Sequence, residues 1–441
     1  MAYTELLAIL CIVSFFGLLA IGMPVALTLA VSGLFWGYLG FGAGLFDLLP
    51  ARIYGVTANY TLIAIPLFVF MGVMLEKSRI ADDLMDVIGH LAGGLRGGMG
   101  IGIVLVGVLM GATTGIVGAT IVTLGLITLP ALMRRGYHLP TACGTICASG
   151  TLGQIIPPST ILILLADILG QSVGTLFAAA LVPGLMLSAI LCLYLLVLGM
   201  VRPELVPPVA LEERRAMSGW QLLGSTLRIA LPPISLVLAV LGSIIGGIAA
   251  PTEAASMGAL GSIVVVALAG RFSFSVLRET VLATTRITAG MMFILICAQV
   301  FALSFRGLHG EQLVADMFKV VPGGTDGVLI FMLALIFMLG FFIEWIEISY
   351  IVVPLFLPLL LNLNVDLVWA AALIAVVLQT SFLTPPFGWA LFYLRSAAPP
   401  EVPTLAIYKG VVPFIALQLI ALVAVYLFPG LATGLPRAIG W

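Results

Sequence analysis

The chain has 441 residues, of which 62% are hydrophobic and only 8% charged, at a mean hydropathy of +1.26. Soluble domains carry about 25% charged residues, so this composition excludes a soluble catalytic domain and implies an all-α polytopic membrane protein. The formal net charge of −1 gives no reason to expect a nucleic-acid partner.

The apolar run 5–43 is too long for one span of about 20 residues, and Gly22-Met23-Pro24 divides it into two helices. No basic stretch or small-residue cleavage site marks the first of them, so it is expected to be a retained helix rather than a signal peptide. A short loop with Arg52 leads to a span near 60–76. Residues 77–96 mix Lys77, Arg79, Asp82, Asp83, Asp86, His90 and Arg96 with apolar positions and read as an amphipathic helix on the membrane surface. The apolar segment 97–133 is interrupted at Gly111-Ala112-Thr113-Thr114-Gly115 and Gly118 and closes on Arg134-Arg135. The next span, 138–167, is interrupted by the run Gly150–Ser159, which contains Pro157-Pro158. A span at 174–200 and a polar, amphipathic linker at 201–227 with Glu212-Glu213-Arg214-Arg215 complete the first half.

The plan then repeats. Spans at 229–246 and 252–269 flank Gly246-Gly247 and Pro251, and a span at 283–304 precedes a polar stretch at 306–325. Residues 327–361 are apolar but carry Glu344 and Glu347. The segment 365–394 is broken at Thr380–Gly388 around Pro385-Pro386, and 405–428 is the last span. Pro24 and Pro251 are 227 apart, while Pro130 and Pro358, and likewise Pro157-Pro158 and Pro385-Pro386, are 228 apart. These landmarks divide the chain into repeats at 1–200 and 228–441 joined by a cytoplasmic linker.

Each half has five spans, one of them broken, and one segment (97–133 or 327–361) that enters and leaves on the same side. Five is odd, so the two repeats are inverted. Followed through these spans, fourteen of the eighteen lysines and arginines fall on one face; Arg52, Arg306, Lys319 and Arg437 fall on the other. The positive-inside rule makes the richer face cytoplasmic and places both termini outside. The segments 97–133 and 327–361 read as re-entrant hairpins, although two thin full spans in each would give the same charge split.

Inverted repeats with helices interrupted in corresponding places point to a secondary transporter. A broken helix frees carbonyls and amides that hydrocarbon cannot satisfy, so they line a cavity or hold a ligand. The first candidate site joins Thr113, Thr114, Gly115 and Gly118 to Gly150, Thr151, Gly153, Pro157 and Ser159: close backbone, uncharged hydroxyls and carbonyls without helical partners, a donor set for Na⁺. The competing explanation is ordinary helix packing through small residues. The second candidate site is Glu344, Glu347 and Ser349 with Thr380, Ser381, Thr384, Pro385 and Gly388. Glu344 and Glu347 stand at the spacing of one helix face, and carboxylates in an apolar segment are functional unless they lie at the membrane surface. Glu253, after Pro251-Thr252, reads either as a site residue or as the cap of a helix N-terminus. Arg286 at a span end reads as snorkelling to headgroups, or as meeting an anionic substrate. Asp167 has a comparable place near an outer helix end. The five cysteines (Cys11, Cys143, Cys147, Cys192, Cys297) all sit in apolar segments as small hydrophobes, and the histidines His90, His138 and His309 form no HExxH pattern, so neither a transition-metal site nor an intramembrane enzyme is expected.

At these motifs the sequence resembles the large membrane subunit of tripartite ATP-independent periplasmic (TRAP) transporters. The likeness rests on Leu62–Gly72, the Gly111–Gly125 turn, Gly136-Tyr137, the run Ser149–Ser159, Ala250–Ala255 and Thr384–Gly388, in order along the whole chain. It implies Na⁺-coupled uptake of a small organic anion, of carboxylate or dicarboxylate class, across a bacterial inner membrane by an elevator-like motion. It also implies two partners, a small four-helix membrane subunit and a periplasmic solute-binding protein, and no cofactor beyond Na⁺ as coupling ion. The family's sodium sites lie where hairpin tips meet broken helices. That correspondence assigns Na⁺ to Thr113, Thr114, Gly115, Gly118, Gly150, Thr151, Gly153, Pro157, Glu344, Ser349, Thr380, Ser381, Thr384, Pro385 and Gly388, and substrate to Thr114, Ser159, Thr384 and Gly388. A departure is the first tip, Thr113–Gly118, where many members are serine-rich. A single-component anion transporter of similar architecture is the alternative.

Overall fold

The computed structural model describes residues 3–80, 83–85, 87, 91, 94–209, 219–319 and 322–441. Asp82, Asp86, His90, Glu212, Glu213, Arg214 and Arg215, and with them parts of the expected surface helix and of the linker, lie outside the described residues.

The described residues form helices and no strand. Bilayers impose this, since a helix satisfies its backbone internally. The first helices are α1 (Tyr3–Ala20), α2 (Val25–Phe41), α3 (Gly44–Thr57) and α4 (Ala64–Lys77). Arg52, expected in a loop, lies instead within α3, which is helical despite Pro50. An elbow at 58–63 separates α3 from α4, and the pair bends by 52°. Next come α5 (Gly98–Thr114), α6 (Val117–Arg134), α7 (Leu139–Thr151), α8 (Thr160–Leu169) and α9 (Val173–Val201). The second half opens with α10 (Gly219–Ile245), so the helix begins inside the stretch expected as linker. It continues with α11 (Pro251–Leu268), the 34-residue α12 (Phe274–Gly307), α13 (Gly310–Lys319), α14 (Gly324–Leu339), α15 (Trp345–Asn362), α16 (Leu367–Leu383), α17 (Trp389–Ala397), α18 (Thr404–Leu427) and α19 (Gly430–Ala438).

Eight described helices are long and apolar enough to cross a bilayer, nine if α3 and α4 make one bent span. Helices α2, α5, α14 and α16 are apolar but shorter. Large apolar side chains such as Leu238, Met257, Leu260 and Leu193 stay exposed on the outer surface, as expected of a fold whose solvent is lipid. Glu253 accepts a hydrogen bond from the Ala250 amide at 2.9 Å, which makes it the N-terminal cap of α11.

Helices pack here through small residues, because lipid gives no hydrophobic drive for them to associate. Helix α2 lies along α12, α4 along α11, α6 against α17 and α8 against α15. A close seam also joins α7 and α18. A Cβ added to Gly144 would stand 2.6 Å from the Gly410 carbonyl carbon and 2.7 Å from the Phe414 ring. Gly410→Val should therefore part the two helices. The expected cost is about 1–3 kcal/mol, read as a lower melting temperature of the purified chain; an unchanged value would show that the seam relaxes freely.

Candidate functional site

Both Pro-Pro steps lie where a helix stops. Helix α7 ends at Thr151, a short 3₁₀ turn follows at Leu152–Gln154, and α8 resumes at Thr160. Helix α16 ends at Leu383 and α17 resumes at Trp389. Proline removes the amide that would continue each helix. Every residue from Thr151 to Thr160 is buried, whereas Pro386 and Phe387 in the second break are exposed.

Each break is met by the tip of the preceding helix pair. Between α5 and α6 the chain turns on Gly115, whose φ of 58° is left-handed and favours glycine. A Cβ on Gly111 would stand 2.5 Å from the Gly153 Cα, so backbone meets backbone at this joint. The Thr160 hydroxyl donates to the Gly115 carbonyl at 3.3 Å. In the second half the chain leaves α14 at Gly340, and a Cβ there would come 2.5 Å from the Ser381 Cβ of α16. Thr113, Thr114, Gly115, Gly153 and Ser159 are thus brought together at the first break; Ser349, Thr380 and Ser381 lie in helices α15 and α16, and Thr384, Pro385 and Gly388 in the second break itself. Gly150, the next-to-last residue of α7, packs on Ile121 of α6.

The hydroxyls share one habit. Thr113 and Thr114 donate to the Met110 carbonyl, Thr151 to Ala148, Ser159 to Gln154, Ser349 to Trp345, Thr380 to Val376, Ser381 to Leu378 and Thr384 to Thr380, all at 2.5–2.9 Å. A hydroxyl whose proton is committed to its own helix turns lone pairs outward. Such an oxygen accepts a hydrogen bond or coordinates a cation without any change of charge.

A cavity of about 330 Å³ lies between the two tips. Its walls include Gly115–Gly118 of the first tip, Glu344–Ile346 of the second, Phe382, Tyr393 of α17, and Arg286 and Gly290 of α12. Tyr393 joins the tips: a Cβ on Gly118 would lie 2.9 Å from its ring, and its hydroxyl donates to Glu344 Oε1 at 3.3 Å. The four expected substrate contacts Thr114, Ser159, Thr384 and Gly388 are not among its lining residues. Thr113 and Thr114 instead border a separate small crevice with Glu76 and Pro233. Arg286 lines the cavity and, among the described residues, forms no ion pair.

Glu344 and Glu347 do not share a helix face. Glu344 precedes α15 with extended backbone (φ −73°, ψ 164°) and reaches the cavity, whereas Glu347 is buried in the first turn. The one-face reading presumed a helix running through both.

Sequence reasoning did not find three features. Tyr393 carried no motif. Gln154 and Gln379 are buried with both amide atoms, and Gln418 with its Oε1, lacking partners among the described residues, and a lone glutamine in an apolar run was the only signal. Asp167 was singled out near an outer helix end, but not its partners: it accepts from Asn59 Nδ2 at 2.6 Å and from Tyr350 Oη at 3.0 Å, tying the α3–α4 elbow to α8 and α15. Cys147 donates to the Ala390 carbonyl at 3.6 Å, and no group of three histidine, cysteine or acidic side chains lies close enough for a metal among the described residues. Asp167→Ala would strand both partners; the expected loss is about 1–3 kcal/mol, measurable by thermal unfolding, and Asn59→Asp should also destabilise by placing two carboxylates together.

Comparison with known proteins places the chain in a family. Residues 12–431 match the family described as "Tripartite ATP-independent periplasmic transporter, DctM component". The chain is 30% identical to the C4-dicarboxylate TRAP transporter large permease protein DctM of Pseudomonas aeruginosa, covering 89% of this chain and 90% of that one. It is 27% identical to the ectoine TRAP transporter large permease protein TeaC of Halomonas elongata, covering 94% and 96%. It is 27% identical to the sialic acid TRAP transporter permease protein SiaT of Haemophilus influenzae, covering 86% and 60%. The fold is similar to that of the YdaH transporter of Alcanivorax borkumensis, with a TM-score of 0.63 at 16% identity over 89% of each chain. The chain belongs to the DctM family, the large membrane permease subunits of TRAP transporters.

Proposed function

We propose that this permease carries out Na⁺-coupled uptake of a small organic anion across a bacterial inner membrane, receiving it from a periplasmic solute-binding protein. A small four-helix membrane subunit completes the complex. The observation that carries the reading is the cavity between the tips, which sets Arg286, without an ion pair among the described residues, across from the two tips and Tyr393. A guanidinium suits a carboxylate, which it grips bidentately. Relatives named for C4-dicarboxylates and for sialic acid support a carboxylate class, and one named for ectoine widens the range. Na⁺ is assigned to the two joints of hairpin tip and broken helix. Thr113, Thr114, Gly115, Gly118, Gly150, Thr151, Gly153 and Pro157 serve the first, and Glu344, Ser349, Thr380, Ser381, Thr384, Pro385 and Gly388 the second.

We infer the inverted repeats, at 1–200 and 228–441, from an exchange of partners. Offset by 227–228 residues, α2 corresponds to α11 and α4 to α12. The contact of α2 with α12 then has its counterpart in that of α11 with α4, and α6 against α17 in α15 against α8. Inversion supports re-entrant tips at 97–133 and 327–361 and periplasmic termini. It also supports an elevator in which the tips and broken helices move past the remaining spans.

The test is uptake of radiolabelled dicarboxylates into proteoliposomes holding this chain, its membrane partner and its binding protein. Uptake should require an inward Na⁺ gradient. Arg286→Ala should cut it by about 10–100-fold, and Thr113→Ala or Thr384→Ala should raise the Na⁺ concentration needed. Uptake by this chain alone at the full rate would replace the three-part reading with a single-component transporter.

A further inference from the structure

A second cavity has no hairpin-tip residue in its walls and lies at one end of the α10–α11 pair. It measures about 590 Å³, and its walls include Arg228, Leu231 and Pro232 of α10 and Val265 and Leu268 of α11, with Arg271 just past that helix. The two helices run antiparallel: a Cβ on Gly261 would press on Leu236, and one on Gly258 on Val240. Carried on at that register, the seam ends with Arg228 near Arg271, and both line the cavity. Ile80 and Asp83, from the chain beyond α4, form a further wall. The Arg271 guanidinium donates to both Asp83 carboxylate oxygens at 3.0 Å, which fixes that wall to the end of α11.

The walls are basic at one end and apolar elsewhere. Asp83 engages only Nη2 of Arg271, so the other guanidinium nitrogens are left to donate. Arg228 is exposed and forms no ion pair among the described residues. Two arginines against one aspartate leave the described walls with one net positive charge. Pro232 and Pro233 supply no amide, so the carbonyls of Arg228 and Ile229, four residues before each, lack their helical donors. The apolar wall does not stop at the cavity. Leu227, Leu231, Ile234 and Leu238 form an exposed stripe along α10, and Met257, Leu260, Val264 and Leu268 another along α11. Steps of three and four residues keep each set on one helix face. Leu227, Leu231 and Leu268 line the cavity, so both stripes start from it.

We propose that this cavity binds an anionic glycerophospholipid, with its phosphate between Arg228 and Arg271 and its acyl chains along the two stripes. Basic pockets between helices at the cytoplasmic surface suit such headgroups, and the arginine count assigns this end of α10 and α11 to that surface. A small free anion would use the arginines and leave the stripes idle. An apolar protein segment would cover the stripes and strand Arg228. A zwitterionic lipid would bring its ammonium against a wall that is already positive. A glycerol headgroup fits both remaining features, since its phosphate carries one negative charge and its hydroxyls can donate to the freed carbonyls of Arg228 and Ile229. The site is independent of the transport reading above.

The experiment follows the melting temperature of the purified chain in mixed micelles that hold phosphatidylglycerol or phosphatidylcholine at equal mole fraction. Native mass spectrometry identifies the lipid that stays bound. Phosphatidylglycerol should raise the melting temperature more than phosphatidylcholine and should be the lipid retained. Arg228→Gln should weaken the phosphatidylglycerol midpoint by about fivefold, the effect of one arginine at an anionic surface. Ala269→Trp, which fills the cavity and keeps both arginines, should abolish the difference between the lipids; Arg228→Gln decides the matter if that bulky variant folds poorly. Arg278→Gln, the same loss of charge on α12 outside the cavity walls, should respond as the wild type does. Equal stabilisation by the two lipids overturns the proposal, as does a wild-type response in Arg228→Gln. An equal loss in Arg228→Gln and Arg278→Gln also overturns it, because the attraction to charged micelles would then be diffuse. If Ala269→Trp keeps the lipid response and loses the small membrane subunit, the face belongs to that protein and the lipid assignment falls.

Discussion

The fold depends on one constraint: hydrocarbon offers no hydrogen bonds. Any backbone that leaves helical geometry inside a bilayer must find partners in the protein. Two Pro-Pro steps force such departures in α7–α8 and α16–α17. The helix pairs α5–α6 and α14–α15 supply the walls, and glycine at each tip lets them come close enough to do so. The site is thus the place where the chain could least afford to be irregular without help.

The hydroxyls refine that argument. Threonine and serine hold their protons on their own helices and present oxygen to the joint. An apolar core could be sealed with alanine at those positions at less desolvation cost, so the polar choice marks a surface meant to be wetted or occupied. The two breaks differ in this respect. The first is wholly buried, while Pro386 and Phe387 leave the second open, so the two joints do not meet the surroundings alike.

Much of this was legible in the sequence because glycine and proline act locally. The breaks at Pro157-Pro158 and Pro385-Pro386 and the turn at Gly115 need no knowledge of neighbours. Membership of the DctM family was legible from the same motifs. What was not legible depended on partners distant in sequence. Tyr393 becomes a site residue only because Gly118 leaves room for its ring. Arg52 was placed in a loop because Pro50 and a short apolar run hid α3. Glu344 and Glu347 were read as one pair because their spacing fits a helix, and nothing local showed that the helix starts between them.

The joint of Gly111 with Gly153 has a mechanical meaning. Side chains between two helices act as a bearing: they change rotamer and let one surface slide over the other. Here a Cβ would already collide with backbone, so no such layer exists. A contact of main chain on main chain has almost nothing that can shear, and it transmits force as a weld does. Whatever displaces the tip of α5–α6 must carry the α7–α8 break with it, and any ion held between them travels without its cage being dismantled.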